Sequence, residues 1–196
     1  MRSGTTLTVA VVHGSHLYVA HVGDSRAYLL SGGRAQRLTR DHNFAAEEVA
    51  RGGLTRQEAR RHPWRHMLTR SIGSLPTVAV DVLRQRMQRG DVLVLCTDGL
   101  SERVTGRELP RFDGVRRAEE IAPLLVNVAL RRGADDNATA LVARVDGGRI
   151  QGAYQPLCRS PAAAPRAALM SILGLISGVA AGGMLLVLLM SLLAGT

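Results

Sequence analysis

Polar and apolar residues alternate with a period near two over the first 39 residues, "TTLTVAVVHGSHLYVAHVGDSRAYLLSGGRAQRLT". His-Gly-Ser, Gly-Asp-Ser and Ser-Gly-Gly interrupt the runs. Period two is the signature of half-buried strands, and gaps of this length with turn residues join strands into hairpins. The stretch therefore predicts three or four strands in an antiparallel meander. Residues 43–61 change to a helical pattern broken at Gly52-Gly53. Thr55 followed by Glu58 fits a capping box for the second piece, and Pro63 ends it. Residues 77–87 predict another strand. In "DVLVLCTDGLS", residues 91–101, the apolar run from Val92 to Cys96 predicts a strand buried on both faces. Ile121, Leu124, Leu125, Val128 and Ala129 follow helical spacing within 116–132, with Gly133 placed to cap the end. A last strand is expected over 138–145, "ATALVARV". Strands grouped in hairpins with helices set apart describe an α+β layered fold.

The C-terminus follows a different rule. Residues 167–196 contain no charged side chain. As a helix they would extend about 45 Å, more than the roughly 30 Å of a bilayer core. A transmembrane helix is expected over 167–194, after a Pro/Ala-rich linker at 151–166 and a body at 1–150. Arg159 and Arg166 lie before it and no charge follows it. That places the body on the cytoplasmic side of the cell (inner) membrane, in a single-pass arrangement. Gly174, Gly178 and Gly182 recur at four-residue intervals, a spacing that allows a homodimer through that face.

Composition narrows the functional classes. Aromatics are 3% of the 196 residues, so the core must be aliphatic. All 25 basic residues are arginine, and the net charge is +9. The arginines are spread along the chain and stacking aromatics are scarce, which argues against nucleic-acid binding. Two cysteines, Cys96 and Cys158, form neither a disulfide framework nor a zinc pattern, and a reducing compartment suits them.

The chemistry lies where strands end in carboxylates. Asp98 closes the most apolar strand, Asp136 precedes the last one in "GADDNATALV", and Asp24 sits between two strands in "HVGDSRAYLL". Each alone reads as an ordinary turn, because Asp caps its own backbone and Gly accepts positive φ. Oxygen ligands from separate loops at one sheet edge are also what a hard divalent ion requires.

"SGTTLTVAVV", "HVGDSRAYLL", "LTRDH", "GDVLVLCTDGLSE" and "GADDNATALVARV" stand in the order and spacing of the metal-dependent (PPM or type 2C) Ser/Thr protein phosphatases. The resemblance spans residues 4–145 and is nearest to bacterial, membrane-anchored members that oppose Ser/Thr kinases. It implies a sandwich of two antiparallel β-sheets flanked by helices. It also implies dephosphorylation of phospho-Ser/Thr proteins by a metal-activated water at a binuclear Mn²⁺ or Mg²⁺ site. By motif, Asp98 and Asp136 would be ligands of the metal pair and Asp24 the ligand of a third ion. Gly99 and Asn137 would support the metal loops. His62, Trp64 and His66 fall where the family has a flap beside the active site, as substrate contacts or as packing of the flap. The family's R-x-x-N-E-D stretch and D-G-x-G-G motif have no counterpart before Gly4. They supply a phosphate-binding arginine, one further ligand, and the Asp and Gly that bridge both ions. The chain is accordingly expected to lack the N-terminal third, with half a metal site and exposed strand edges. The alternative reading is a catalytically inactive pseudophosphatase or binding module at the membrane.

Overall fold

The computed structural model describes residues 4–114, 117–146, 149–156 and 185–193. Two antiparallel sheets carry the fold. The first contains β1 (Gly4–His13), β2 (His16–Val22), β5 (Asp81–Arg86) and β9 (Leu185–Leu193), in the order β5-β2-β1-β9. The second contains β3 (Arg26–Ser31), β4 (Arg34–Arg37), β6 (Val92–Cys96), β7 (Thr139–Asp146) and β8 (Arg149–Pro156), in the order β4-β3-β6-β7-β8. Helices α1 (Phe44–Arg51) and α2 (Arg56–Ala59) follow β4, the short α3 (Asp98–Ser101) follows β6, and α4 (Ala118–Arg131) precedes β7.

Period two explains the layering. On β3, Ala27 and Leu29 face the space between the sheets, where Ala10, Val12, Leu17 and Val19 of the first sheet meet Leu93, Leu95 and Ala143 of the second. Tyr28 and Leu30 point the other way, into a second core with Val92, Val94, Cys96, Ala140 and Val142. Helix α4 covers that core with Ile121, Ala122, Leu125, Val126 and Ala129. Strand β6 is thus sandwiched between two apolar layers, which is why all five of its residues are apolar and buried.

The helical expectations hold in detail. Asn43 caps α1 by accepting from Ala46 N at 2.9 Å, and Gly52 ends it in the left-handed conformation. Thr55 and Glu58 form the capping box on α2. Gly133 follows α4 with φ of 72°. Leu124 departs from its expected stripe and is 42% exposed, because Ile121, Ala122 and Leu125 occupy the face against the sheet.

Three elements differ from expectation. The meander is split: β1 and β2 pair in one sheet, β3 and β4 in the other, and β2 does not pair with β3. Gly23-Asp24-Ser25 is therefore a crossover between sheets rather than a hairpin turn. The strand expected over 77–87 is shortened to Asp81–Arg86, the part that pairs with β2. The third concerns the C-terminus, where a helix was expected over 167–194. Leu185–Leu193 is a strand antiparallel to β1, in register from Gly4↔Leu193 to Val12↔Leu185. Among the described residues no helix is long and apolar enough to cross a membrane. Residues 157–184, which include most of the expected linker and Gly174, Gly178 and Gly182, lie outside the described residues. The physical reason for the strand is the second edge of β1. A row of unpaired N–H and C=O groups is a template for another strand, and Leu185–Leu193 satisfies it.

Candidate metal centre

The crossover that carries Asp24 depends on glycine. Gly23 has φ of 112°, and a Cβ there would lie 2.4 Å from the Thr6 side chain. No other residue fits both the conformation and the space. Thr6 and Ser25 exchange a hydroxyl hydrogen bond of 3.1 Å beneath it. From the far side the "LTRDH" segment clamps the crossover. His42 N donates to Gly23 O at 2.7 Å, and Gly23 N donates to His42 Nδ1 at 3.1 Å. Ala27 N donates to Thr39 Oγ1 at 2.9 Å. Arg26 donates to Asp41 through Nε at 3.1 Å and Nη2 at 2.8 Å, and Arg37 pairs with the same carboxylate. Arg26 also reaches Ser101 O at 3.4 Å, tying the crossover to α3.

Asp98 opens α3 directly after β6. Its Oδ1 accepts from Gly99 N at 2.9 Å. The loop bearing Asp136 is fastened beside it through Thr97. The Thr97 hydroxyl donates to Asn137 O at 3.0 Å and accepts from Thr139 N at 2.9 Å. A Cβ on Gly99 would stand 2.8 Å from Asn137 O, so glycine is required for the two loops to approach. Asp136 Oδ1 accepts from Asn137 N at 2.6 Å, and both residues are exposed.

The electrostatics show that these carboxylates sense one another. Burial, then repulsion from Asp98 and Asp41, pushes the Asp24 carboxyl up to about 7. Burial, then repulsion from Asp136, raises Asp98, while the Gly99 amide and His66 act in the opposite direction. Asp24, Asp98 and Asp136 thus form a chain of unfavourable pairs that a cation would relieve. Their donors are all oxygen, the set that Mg²⁺ and Mn²⁺ take. Among the described residues no three His, Cys, Asp or Glu side chains lie close enough to hold an ion by themselves. In donor chemistry and charge the residues fit such an ion as part of its shell, with water for the rest.

The flap candidates divide. His62 and Trp64 pack with Phe44 at ring separations of 5.1 and 5.3 Å, a small aromatic cluster on the flap in which Trp64 keeps an exposed face. His66 turns to the carboxylates, its Nδ1 3.4 Å from Glu102 Oε1. Asp41, His42 and Arg26 are the functional supports that reasoning from sequence did not single out. The signal available was a carboxylate and a histidine placed side by side in "LTRDH", with Arg37 and Arg40 just before them.

The protein phosphatase 2C family profile matches residues 1–138. Serine/threonine protein phosphatase PstP of Mycobacterium tuberculosis (strain H37Rv) is 36% identical over 142 residues, covering 72% of this chain and 27% of that protein. Serine/threonine phosphatase stp of Listeria monocytogenes serotype 4b is 35% identical over 144 residues, covering 73% of this chain and 57% of that protein. The crystal structure of the M. tuberculosis phosphatase PstP/Ppp superposes with a TM-score of 0.68 at 35% identity, over 73% of this chain and 60% of that one. A PstP catalytic domain in complex with two manganese ions gives a TM-score of 0.65 at 34% identity, over 73% and 60% of the two chains. The chain belongs to the protein phosphatase 2C family and spans a little over a quarter to about three fifths of these relatives' lengths.

Proposed function

We propose that residues 1–150 form part of a Ser/Thr protein phosphatase domain that dephosphorylates phospho-Ser/Thr proteins and opposes a bacterial Ser/Thr kinase. The observation that carries this reading is the run of carboxylates in which Asp98 bears on Asp24 and Asp136 on Asp98, on loops that the Thr97 and Asp41 contacts hold together. Asp98 and Asp136 would hold the ions of a Mn²⁺ or Mg²⁺ pair, and Asp24 a further one. The metals would supply positive charge for the phosphoryl oxygens and a water acidic enough to act near neutral pH. The chain's own residues set the stage. Gly99 lets the two carboxylate loops meet, Asn137 shapes the Asp136 loop, and His66 lies beside the Asp98 helix.

Metal binding should show in stability as well as in turnover. The metal-free Asp24 carboxyl has a folded-state value near 7, above its ordinary 3.8. The folded state therefore holds the proton more tightly. This contribution to stability is full below the ordinary carboxyl range and is lost as pH rises through about 7. Manganese should offset that loss, so the rise in Tm it produces is expected to be larger at pH 8 than at pH 5. A phosphothreonine peptide should release phosphate only with Mn²⁺ or Mg²⁺ present. An equal Tm at both pH values with and without manganese would defeat the metal assignment. The second reading, a non-catalytic binding module, draws on the absence of a complete ligand group among the described residues. It predicts peptide binding without divalent-dependent release.

The uncharged segment 167–194 supports a single-pass anchor in the cell membrane, with a linker at 151–166, the body in the cytoplasm and a glycine face suited to a homodimer. In a bilayer Leu185–Leu193 would exchange the β1 edge for a helix, which satisfies its backbone internally. Alkaline carbonate washing is expected to leave the full chain in the membrane pellet. Quantitative release to the supernatant would reject the anchor.

A further inference from the structure

The flap carries charge that the fold does not use. Over residues 56–70, "RQEARRHPWRHMLTR", five arginines face one glutamate. Glu58 is spent on the α2 capping box, accepting from Thr55 N at 2.8 Å. Arg70 is paired with Asp81 at 2.8 Å. Arg56, Arg60, Arg61 and Arg65 pair with no carboxylate among the described residues, and the first three are exposed. An unpaired, like-charged cluster costs stability through self-repulsion, so the fold itself does not call for it. Beside it Trp64 is 57% exposed, propped edge-on against Phe44 at 5.3 Å. The segment is held in place at its end, where Phe44 N donates to Met67 O at 2.9 Å and Thr69 N donates to His42 O at 2.9 Å. It also adjoins the carboxylates, because His66 lies 3.4 Å from Glu102, on the residue that follows α3.

We propose that the flap arginines 56, 60, 61 and 65, with Trp64, dock the acidic flank of a phosphopeptide whose phosphorylated residue reaches the Asp98 loop. This deepens the phosphatase reading and rests on it for the direction of the phosphoresidue. Guanidinium groups match carboxylates in planar, two-pronged geometry, and an exposed indole offers an apolar rest for the intervening peptide chain. A peptide is favoured over an anionic bilayer by the neighbouring charge. A bilayer presents phosphate across its whole surface and would press it against exposed Glu102 and Asp136 as well. A peptide sets a few carboxylates on the arginines alone.

Trp64 is the only tryptophan, so its fluorescence reports on the patch without metal or turnover. The full chain in a neutral detergent is titrated, free of divalent ions, with two phosphothreonine peptides that differ only in flanks of glutamate or glutamine. The glutamate peptide is expected to give a saturable change in emission, roughly tenfold tighter than the glutamine peptide, as several modest surface ion pairs together supply. Added salt weakens it. The combined variant R56Q/R60Q/R61Q/R65Q should lose that advantage while melting at or above the wild-type temperature, because the self-repulsion is relieved. Equal affinity of the wild-type chain for the two peptides overturns the proposal. So does a response to vesicles of anionic lipid with none to either peptide. Manganese-dependent phosphate release from the glutamine peptide is scored separately, so failure of the enzyme reading is distinguishable from failure of the docking surface.

Discussion

Asp98→Asn is expected to lower manganese-dependent phosphate release by about a hundredfold or more, since partners one layer outside a metal already cost 10–100-fold when removed. The replacement is almost isosteric. Its side-chain oxygen still accepts from Gly99 N, the 2.9 Å bond that shapes the start of α3. What it removes is the negative charge. In the metal-free protein that charge is unfavourable, raised in pKa first by burial and then by Asp136. Metal-free Asp98→Asn should therefore melt at or above the wild-type temperature, while the manganese-induced rise disappears. The two readouts separate a ligand from a turn residue. A turn residue would tolerate asparagine in both assays, and wild-type turnover by the variant would end the assignment of Asp98.

Asp41→Ala is expected to destabilise the fold by about 2–4 kcal/mol, read by urea denaturation. Asp41 is 5% exposed and serves two guanidiniums, those of Arg26 and Arg37. Breaking a buried pair by deleting one partner typically costs about 3–5 kcal/mol, because the other charge is left without compensation. Here the arginine side chains keep 24% and 36% of their exposure, so water recovers part of the loss. The cost includes a positional effect. Asp41 orients the guanidinium that reaches Ser101 O, so the crossover bearing Asp24 is expected to loosen from α3 in the variant. A double replacement, R26A with D41A, should be less destabilising than the two single effects added together. Strict additivity would show that the pair is not coupled.

Much of the fold was legible in local pattern. Period-two runs became strands, the Thr55–Glu58 spacing became a capping box, and Gly52 and Gly133 ended helices in positive φ. These signals depend on residues within a few positions of one another, and near neighbours are what a one-dimensional sequence displays. The motif carboxylates Asp24, Asp98 and Asp136 were legible for the same reason, each beside a turn glycine or asparagine at a strand end.

Longer-range choices were not. Nothing in "HVGDSRAYLL" says whether the chain turns back within one sheet or crosses to another; the Thr6 side chain against Gly23 and the His42 bonds to its backbone decide that. The importance of Asp41 likewise exists only once Arg26 and Arg37 surround it. Spacing alone puts Leu124 on the buried face, yet Ile121, Ala122 and Leu125 take that face of α4 and leave it outside. The uncharged C-terminal run satisfies both a membrane helix and a strand, since either provides every backbone group with a partner. The open edge of β1 selected the strand for Leu185–Leu193. Sequence by itself determined most of the strands and helices between Gly4 and Asp146 and which carboxylates stand at their ends. Tertiary structure alone decided which edges pair and which charges meet, because those energies arise between residues far apart in the chain.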